Sequence, residues 1–183
     1  HNLYNSAAAI ATSLEEGISI KDIKNGLENF QGVSRRFERY NLEINKKAIT
    51  LIDDYGHHPE EIKATLQAIH QAYPKKKICM VFQPHRYTRT AQLYNEFIEV
   101  LSIPDSLLLL DIYPASELPI KGISSRRLIE DIRQDGHLDC HYLKEKLILK
   151  DIKDLSNSFD ILVTQGAGSI SSICVSIKNK WQK

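Results

Sequence analysis

Apolar residues recur along this chain at two different periods, and the change of period marks its organisation. Leu3, Ala7, Ile10, Ala11 and Leu14 fall on one face of a helix, and Gly17 stands where that helix should stop. A second, shorter helix follows: Ile20, Ile23, Leu27 and Phe30 make its apolar face, and Ser19 with Asp22 forms a capping-box-like pair at its start. After Gly32 the spacing changes. Arg35 to Tyr40 alternates toward a strand, and Asn45, Lys46 and Lys47 make a turn into the run Ala48, Ile49, Leu51 and Ile52, so this segment opens as a β-hairpin. The run reads as buried on both faces, which a parallel sheet covered by helices demands.

From there strand and helix patterns alternate. Pro59 fits a first helical turn, with Ile62, Leu66, Ile69 and Tyr73 continuing at helical spacing. Ile78 to Phe82 predicts a strand, Gln83 to Arg89 a loop, and Leu93, Phe97, Val100 and Leu101 one helix closed by Pro104. A strand over Leu107 to Ile112 leads through the loop YPASELPIKG to a helix capped by Ser124 or Ser125 and ended by Gly136. Leu138 to Leu143 predicts a short strand, and Leu147, Ile148, Ile152 and Leu155 a helix. Asp160 to Thr164 is the last strand, followed by the loop QGAGS, a helix from about Ser169 and a polar tail. Such alternation argues for an α/β fold, a mainly parallel sheet with helices on both faces.

Parallel strands deliver their following loops to one edge of the sheet, where ligands bind in open α/β folds. Three loops therefore converge: Asp53 to Pro59, Gln83 to Arg89, and Gln165 to Ser169. The first holds Asp53, Asp54, Tyr55, His57 and His58. His58 beside Pro59 suits a helix N-cap, which leaves His57 for the cleft; metal ligation with Asp53 or Asp54 and substrate orientation are the other readings of this pair. The second holds His85, Arg86 and Arg89; arginines three apart share a face if the helix begins there, and two guanidiniums suit a carboxylate or phosphate. GAGS at Gly166 to Ser169 either brings backbone N–H groups to an anion or is a tight turn. A zinc site from His57, His85 and Asp54 is the sharp alternative, though no repeated metal-ligand spacing supports it.

Composition narrows the classes. The chain has 183 residues and a formal net charge of +1, so neither a disordered tail nor a general nucleic-acid binder is indicated, and Lys75 to Lys77 reads as a solvated turn. The three cysteines, Cys79, Cys140 and Cys174, are far apart and read as small core residues of a reduced protein. No apolar run approaches membrane-spanning length and no secretory leader opens the chain, so a cytoplasmic location is expected. His1 already lies in helix-like sequence with no methionine before it, which suggests a piece of a larger protein.

Taken in order, HNLYN, FQGVSRRFE, LIDDYGHHPEEIKAT, VFQPHRYTRT, LLDIYPASELPIKGISS and LVTQGAGSI closely resemble the Mur ligases, over nearly the whole chain. The resemblance implies three domains: an N-terminal UDP-binding domain, a central ATPase domain and a C-terminal Rossmann-like domain. Residues 1–32 would be the last helices of the central domain and residues 33–183 the C-terminal domain. It implies an ATP- and Mg2+-dependent ligase joining L-alanine to UDP-N-acetylmuramate through an acyl phosphate in peptidoglycan precursor synthesis. The glycine-rich lysine loop that grips ATP phosphates is missing, so the fragment alone is expected to be inactive. Glu60 stands where relatives often carry threonine, in a helical turn that favours an acid.

By position, the resemblance implies that Asn2 and Asn5 contact adenine, Arg36 lies near the nucleotide phosphates and Asp54 near the ribose. It implies further that Tyr55, His57, His85, Arg86 and Arg89 face the acyl phosphate and incoming amino acid, with the two arginines on a carboxylate or oxyanion. Which histidine, if either, accepts the amine proton stays open. The alternatives are a recycling ligase that attaches a whole murein tripeptide to the same nucleotide sugar, away from which DDYGHHP and GAGS lean, and a non-catalytic nucleotide-binding module.

Overall fold

The computed structural model describes residues 2–30, 32–136, 139–144 and 147–183, in two compact units, His1–Ser34 and Arg35–Lys183. In the first unit α1 (Asn2–Glu15) and α2 (Ile20–Glu28) are joined through Gly17, whose φ of +75° is open to glycine at no steric cost. Ser19 caps α2: its hydroxyl accepts the Asp22 N–H at 3.2 Å and donates to the Asp22 carboxylate at 2.6 Å. No residue of α2 is buried within its unit, and Ile20 and Phe30 are largely exposed.

The second unit begins with the expected hairpin, β1 (Glu38–Ile44) and β2 (Lys47–Asp54), turning at Asn45 and Lys46. Both turn residues have positive φ, 51° and 65°, the twist that a two-residue hairpin turn needs. Then follow α3 (Pro59–Ala72), β3 (Ile78–Phe82), α4 (Tyr87–Gln92), α5 (Tyr94–Leu101), β4 (Ser106–Leu109) and α6 (Ser125–Gln134). The chain continues through β5 (Cys140–Tyr142), α7 (Ile148–Leu155), β6 (Ile161–Gln165) and α8 (Ile170–Trp181).

The sheet runs β1-β2-β6-β3-β4-β5, with every pair parallel except β1 and β2. Side chains alternate across it. Ile78, Met80 and Phe82 meet α3, α5 and α6 through Ile62, Leu66, Phe97 and Leu128; Cys79 and Val81 meet α7 and α8 through Ile152, Ile170 and Ile173. Each such side chain, fully buried, contributes about 1.5–3 kcal/mol. Helix α3, between β2 and β3, covers one face, while β6 returns between those strands and sends α8 to the other. The carboxyl ends of β2, β6 and β3 therefore flank the crevice where helix direction reverses.

Four expectations change. The strand read as Leu107 to Ile112 ends at Leu109, because β5 offers partners only to Leu107, Leu108 and Leu109; Leu110 and Ile112 stay buried beyond it. The loop read as Gln83 to Arg89 is shorter, since α4 already begins at Tyr87, and the single helix after it breaks at Leu93 (φ −112°, ψ 33°) into α4 and α5. The strand read as Leu138 to Leu143 is observed as Cys140–Tyr142, with Leu138 outside the described residues, as is His1. The tail is helical to Trp181 and then pairs with the edge strand, Gln182 opposite Leu42 and the Lys183 N–H on the Asn41 carbonyl at 3.3 Å.

Cys79, Cys140 and Cys174 are all buried in the core and none is in a disulfide. No helix among the described residues is long and apolar enough to cross a membrane.

Candidate active site on the carboxyl rim of the sheet

β2 ends in two carboxylates that are occupied in holding the rim together. Asp53, only 3% exposed, accepts Arg35 Nε at 2.9 Å and Thr164 Oγ1 at 2.8 Å. The same guanidinium donates to the Gly166 carbonyl at 2.8 Å and lies 5.6 Å from the centre of the Tyr55 ring. Asp54 accepts the Gly56 N–H at 2.7 Å, the Phe37 N–H at 2.9 Å and Gln165 Nε2 at 3.2 Å. Burial pushes the Asp54 carboxyl above its usual range, against those backbone donors. A Cβ at Gly56 would lie 2.6 Å from Gln165 Nε2 and 2.7 Å from Asp54 Oδ1, so the chain turns here only because the residue is glycine.

His58 is the N-cap of α3, its Nδ1 accepting the Glu60 N–H at 3.3 Å. Glu61 closes the capping box by accepting the His57 and His58 N–H groups at 2.8 and 2.9 Å. Burial alone would raise the Glu61 carboxyl; those two N–H groups and the neighbouring imidazoles outweigh it and hold it below its usual value. His58 is thereby occupied, and His57 stands next to Tyr55 with ring centres 5.4 Å apart.

The second loop carries His85 to the same place: its ring centre is 5.4 Å from His57 and 5.4 Å from Tyr113, on which it stacks at 12°. Tyr113 reaches it through a parallel bridge beyond β4, in which the Tyr113 N–H donates to the Pro84 carbonyl and the Arg86 N–H to the Tyr113 carbonyl, both at 2.8 Å. Arg89, in the first turn of α4, points back: its Nη1 donates to the His85 carbonyl at 3.0 Å and to His85 Nδ1 at 3.3 Å. Burial, then the positive neighbours His57, Arg89 and Arg86, lowers the proton affinity of His85. Arg86 precedes the helix with φ +73° and is exposed, so it shares no helical face with Arg89, contrary to the spacing argument. Both arginines nonetheless flank His85.

In the third loop the two glycines admit close approach. A Cβ at Gly166 (φ +142°) would sit 2.8 Å from the Gln83 carbonyl oxygen, and one at Gly168 would sit 2.5 Å from Gln83 Oε1 and 2.7 Å from Tyr113 Cγ. Gln83 Oε1 accepts the Ile170 N–H at 2.9 Å, and the Gly166 N–H donates to the Asp54 carbonyl at 3.2 Å. Here GAGS acts as a tight junction between loops.

The rim thus gathers Tyr55, His57, His85, Arg86, Arg89 and Asp54. Arg36 follows Arg35 in the chain and is exposed, whereas Asn2 and Asn5 belong to the first turn of α1 in the other unit. Among the described residues no three His, Cys, Asp or Glu side chains are grouped closely enough to hold a metal ion. Gln83 and Gln165 were expected on the rim only as the first residues of their loops, and Arg35 and Tyr113 were not anticipated there. The Arg35–Arg36 doublet and the two glutamines at the ends of neighbouring strands were the signals available.

A mainly parallel α/β sheet whose loops gather imidazole and guanidinium groups at the carboxyl ends of its strands is an open α/β domain with its candidate site on that rim, and the chain belongs to the Mur ligase family: the family described as Mur ligase, glutamate ligase domain, matches residues 35–168. Among individual proteins it is 42% identical, over 97% of its length, to a UDP-N-acetylmuramate–L-alanine ligase of Psychrobacter cryohalolentis, and spans 37% of that protein. The crystal structure of UDP-N-acetylmuramate-alanine ligase from Thermotoga maritima superposes with a TM-score of 0.74 at 25% identity, over 98% of this chain and 37% of that one. A murein peptide ligase from Psychrobacter arcticus shares the fold, with a TM-score of 0.71 at 21% identity over 98% of this chain and 36% of its own.

Proposed function

We propose that the whole protein joins L-alanine to UDP-N-acetylmuramate at the expense of ATP, and that this chain supplies its C-terminal domain. In this reading residues 33–183 are that domain and residues 1–32 are the last helices of the central ATP-binding domain. The observation that carries the proposal is 42% identity along 97% of the chain to a ligase of that name. The rim fits the chemistry, because forming an amide from a carboxylate and an amine through an acyl phosphate accumulates negative charge that preorganised cationic donors stabilise.

ATP supplies the phosphoryl group that activates the lactyl carboxylate. The residues present suit a phosphoryl or carboxylate group: guanidiniums offer forked donors, and Arg86 is exposed at the rim with a backbone held by Tyr113. Arg86 and Arg89 hold the amino-acid carboxylate or the tetrahedral oxyanion, while Tyr55, His57 and His85 orient the reacting groups. Arg36 lies toward the nucleotide phosphates, Asp54 toward the ribose, and Asn2 and Asn5 toward adenine. The Mg2+ ligands belong mainly to the part of the relatives' length that this chain does not span. Partners are the other domains of the same protein, with no nucleic acid and no membrane, in the cytoplasm.

The test is phosphate release by the full-length enzyme given ATP, UDP-N-acetylmuramate and either L-alanine or a murein tripeptide. Release with L-alanine is the expected result. Release with the tripeptide alone would assign the protein to murein recycling, and none with either would leave a binding module.

A further inference from the structure

The hydrogen-bond partners of the two rim histidines are of opposite kinds. His57 Nδ1 lies 3.2 Å from the Tyr55 carbonyl oxygen, which can only accept, so this nitrogen carries the proton and Nε2 keeps its lone pair. His85 Nδ1 lies 3.3 Å from Arg89 Nη1, which can only donate, so here Nδ1 has the lone pair and Nε2 carries the proton. We infer that the rim holds its two imidazoles as complementary tautomers, His57 presenting an acceptor at Nε2 and His85 a donor at Nε2, and that His57 is the group that takes the amine proton.

The surroundings keep the two states apart. On His57 the charged neighbour is Glu61, from the first turn of α3, whose carboxylate accepts the His57 backbone N–H at 2.8 Å. Around His85 stand Arg89 and Arg86 from the start of α4, His57, and Glu117 from the loop after β4. That set disfavours a second positive charge on His85, consistent with a neutral ring locked by Arg89 and by the Tyr113 stack. A nitrogen whose lone pair already accepts from a guanidinium is not available as a base. The ring with the free lone pair is His57, with its centre 5.4 Å from that of His85.

This assignment of roles rests on the proposed ligase reading. In that reaction the amine lone pair attacks the acyl-phosphate carbon and the C–N bond forms. The proton shed by nitrogen passes to His57 Nε2, and the C–O bond to phosphate breaks with its electron pair leaving on phosphate. His85 Nε2–H donates to the oxygen that gathers charge. The proton on His57 then returns to solvent.

Two measurements on the full-length enzyme decide it. With 15N-labelled histidine, long-range 1H–15N spectra, assigned with His57→Gln and His85→Gln, should show His57 with a pyrrole-type Nδ1 and a pyridine-type Nε2, and His85 with the reverse. The same tautomer on both, or the two exchanged, overturns the inference whether or not the enzyme ligates L-alanine. In kinetics, His85→Gln keeps an N–H donor at the ε position and should retain kcat within about tenfold, whereas His57→Gln cannot take up a proton and should lose about 10²–10⁴-fold. The opposite order overturns the role given to His57. If wild-type enzyme ligates no L-alanine, the proposed function fails, and the tautomers stand or fall on the spectra alone.

Discussion

Arg35 ties three pieces of backbone together with one side chain, and its removal should be felt in the fold before it is felt in chemistry. Its guanidinium is 18% exposed and pairs with an Asp53 side chain that is 4% exposed. Arg35→Ala removes the cation paired with that carboxylate and leaves it only uncharged side-chain partners such as Thr164, and a stranded buried charge typically costs about 3–5 kcal/mol. Urea unfolding should place the loss near the lower end of that range, since Arg35 retains some contact with water. Arg86→Ala is the opposite case: an exposed side chain, so stability should hold while turnover of the full enzyme falls roughly 10²–10³-fold. Unchanged steady-state kinetics would take Arg86 out of the site. Which arginine of the doublet turns inward could not be read from sequence. Arg35 adopts φ +59°, a left-handed step that interrupts the strand alternation used to assign faces.

Among elements, α3 shows how a cap can carry a pH dependence. Its capping box hangs on Glu61, whose carboxyl is held below the ordinary value of 4.5 once folded. A group lowered on folding contributes stability that is complete above its unfolded pKa and is lost as pH falls through the folded one. Glu61→Gln keeps a capping-box residue but cannot titrate, so the urea midpoint of the variant should fall less steeply than wild type below pH 4.5. Equal slopes would assign the acid limb to other carboxylates. Elements with strong local signals were legible: Ile78–Phe82 as a buried strand, His58 and Ser124 as caps, and Asn45 and Lys46 as the hairpin turn. The early end of β4 was not, because Leu110 and Ile112 stay apolar and buried beyond it, nor was the break at Leu93, where half-buried Leu93 and Tyr94 pack on the core across the change in backbone. Tertiary pairing decides those boundaries.

Across the whole chain, alternating strand and helix patterns identified the mainly parallel sheet and the rim on which three of its loops gather, but they do not encode strand order. β6 is apolar along Ile161, Leu162 and Val163, which says it is buried without saying between which neighbours. In fact it fills the gap between β2 and β3, pairing with both over Ile161 to Gln165. The rim depends on that insertion, since Gln165, Gly166 and Ile170 supply the contacts that join the first two loops. A chain ended after Phe159 should therefore lose cooperative unfolding and bind a hydrophobic dye, as read by urea titration and fluorescence; a two-state transition in that truncation would show that β2 and β3 can close without their wedge.

The late arrival of β6 also bears on synthesis. Until the ribosome has delivered residues 161–165, β2 and β3 each carry an unzipped flank, the kind of surface that recruits chaperones or seeds aggregates. The two imidazoles sit on loops from those separated strands, so they are held together only once β6 has been made. The rim is finished by a strand made after both of the loops it joins, and a product stopped before residue 161 is born without it.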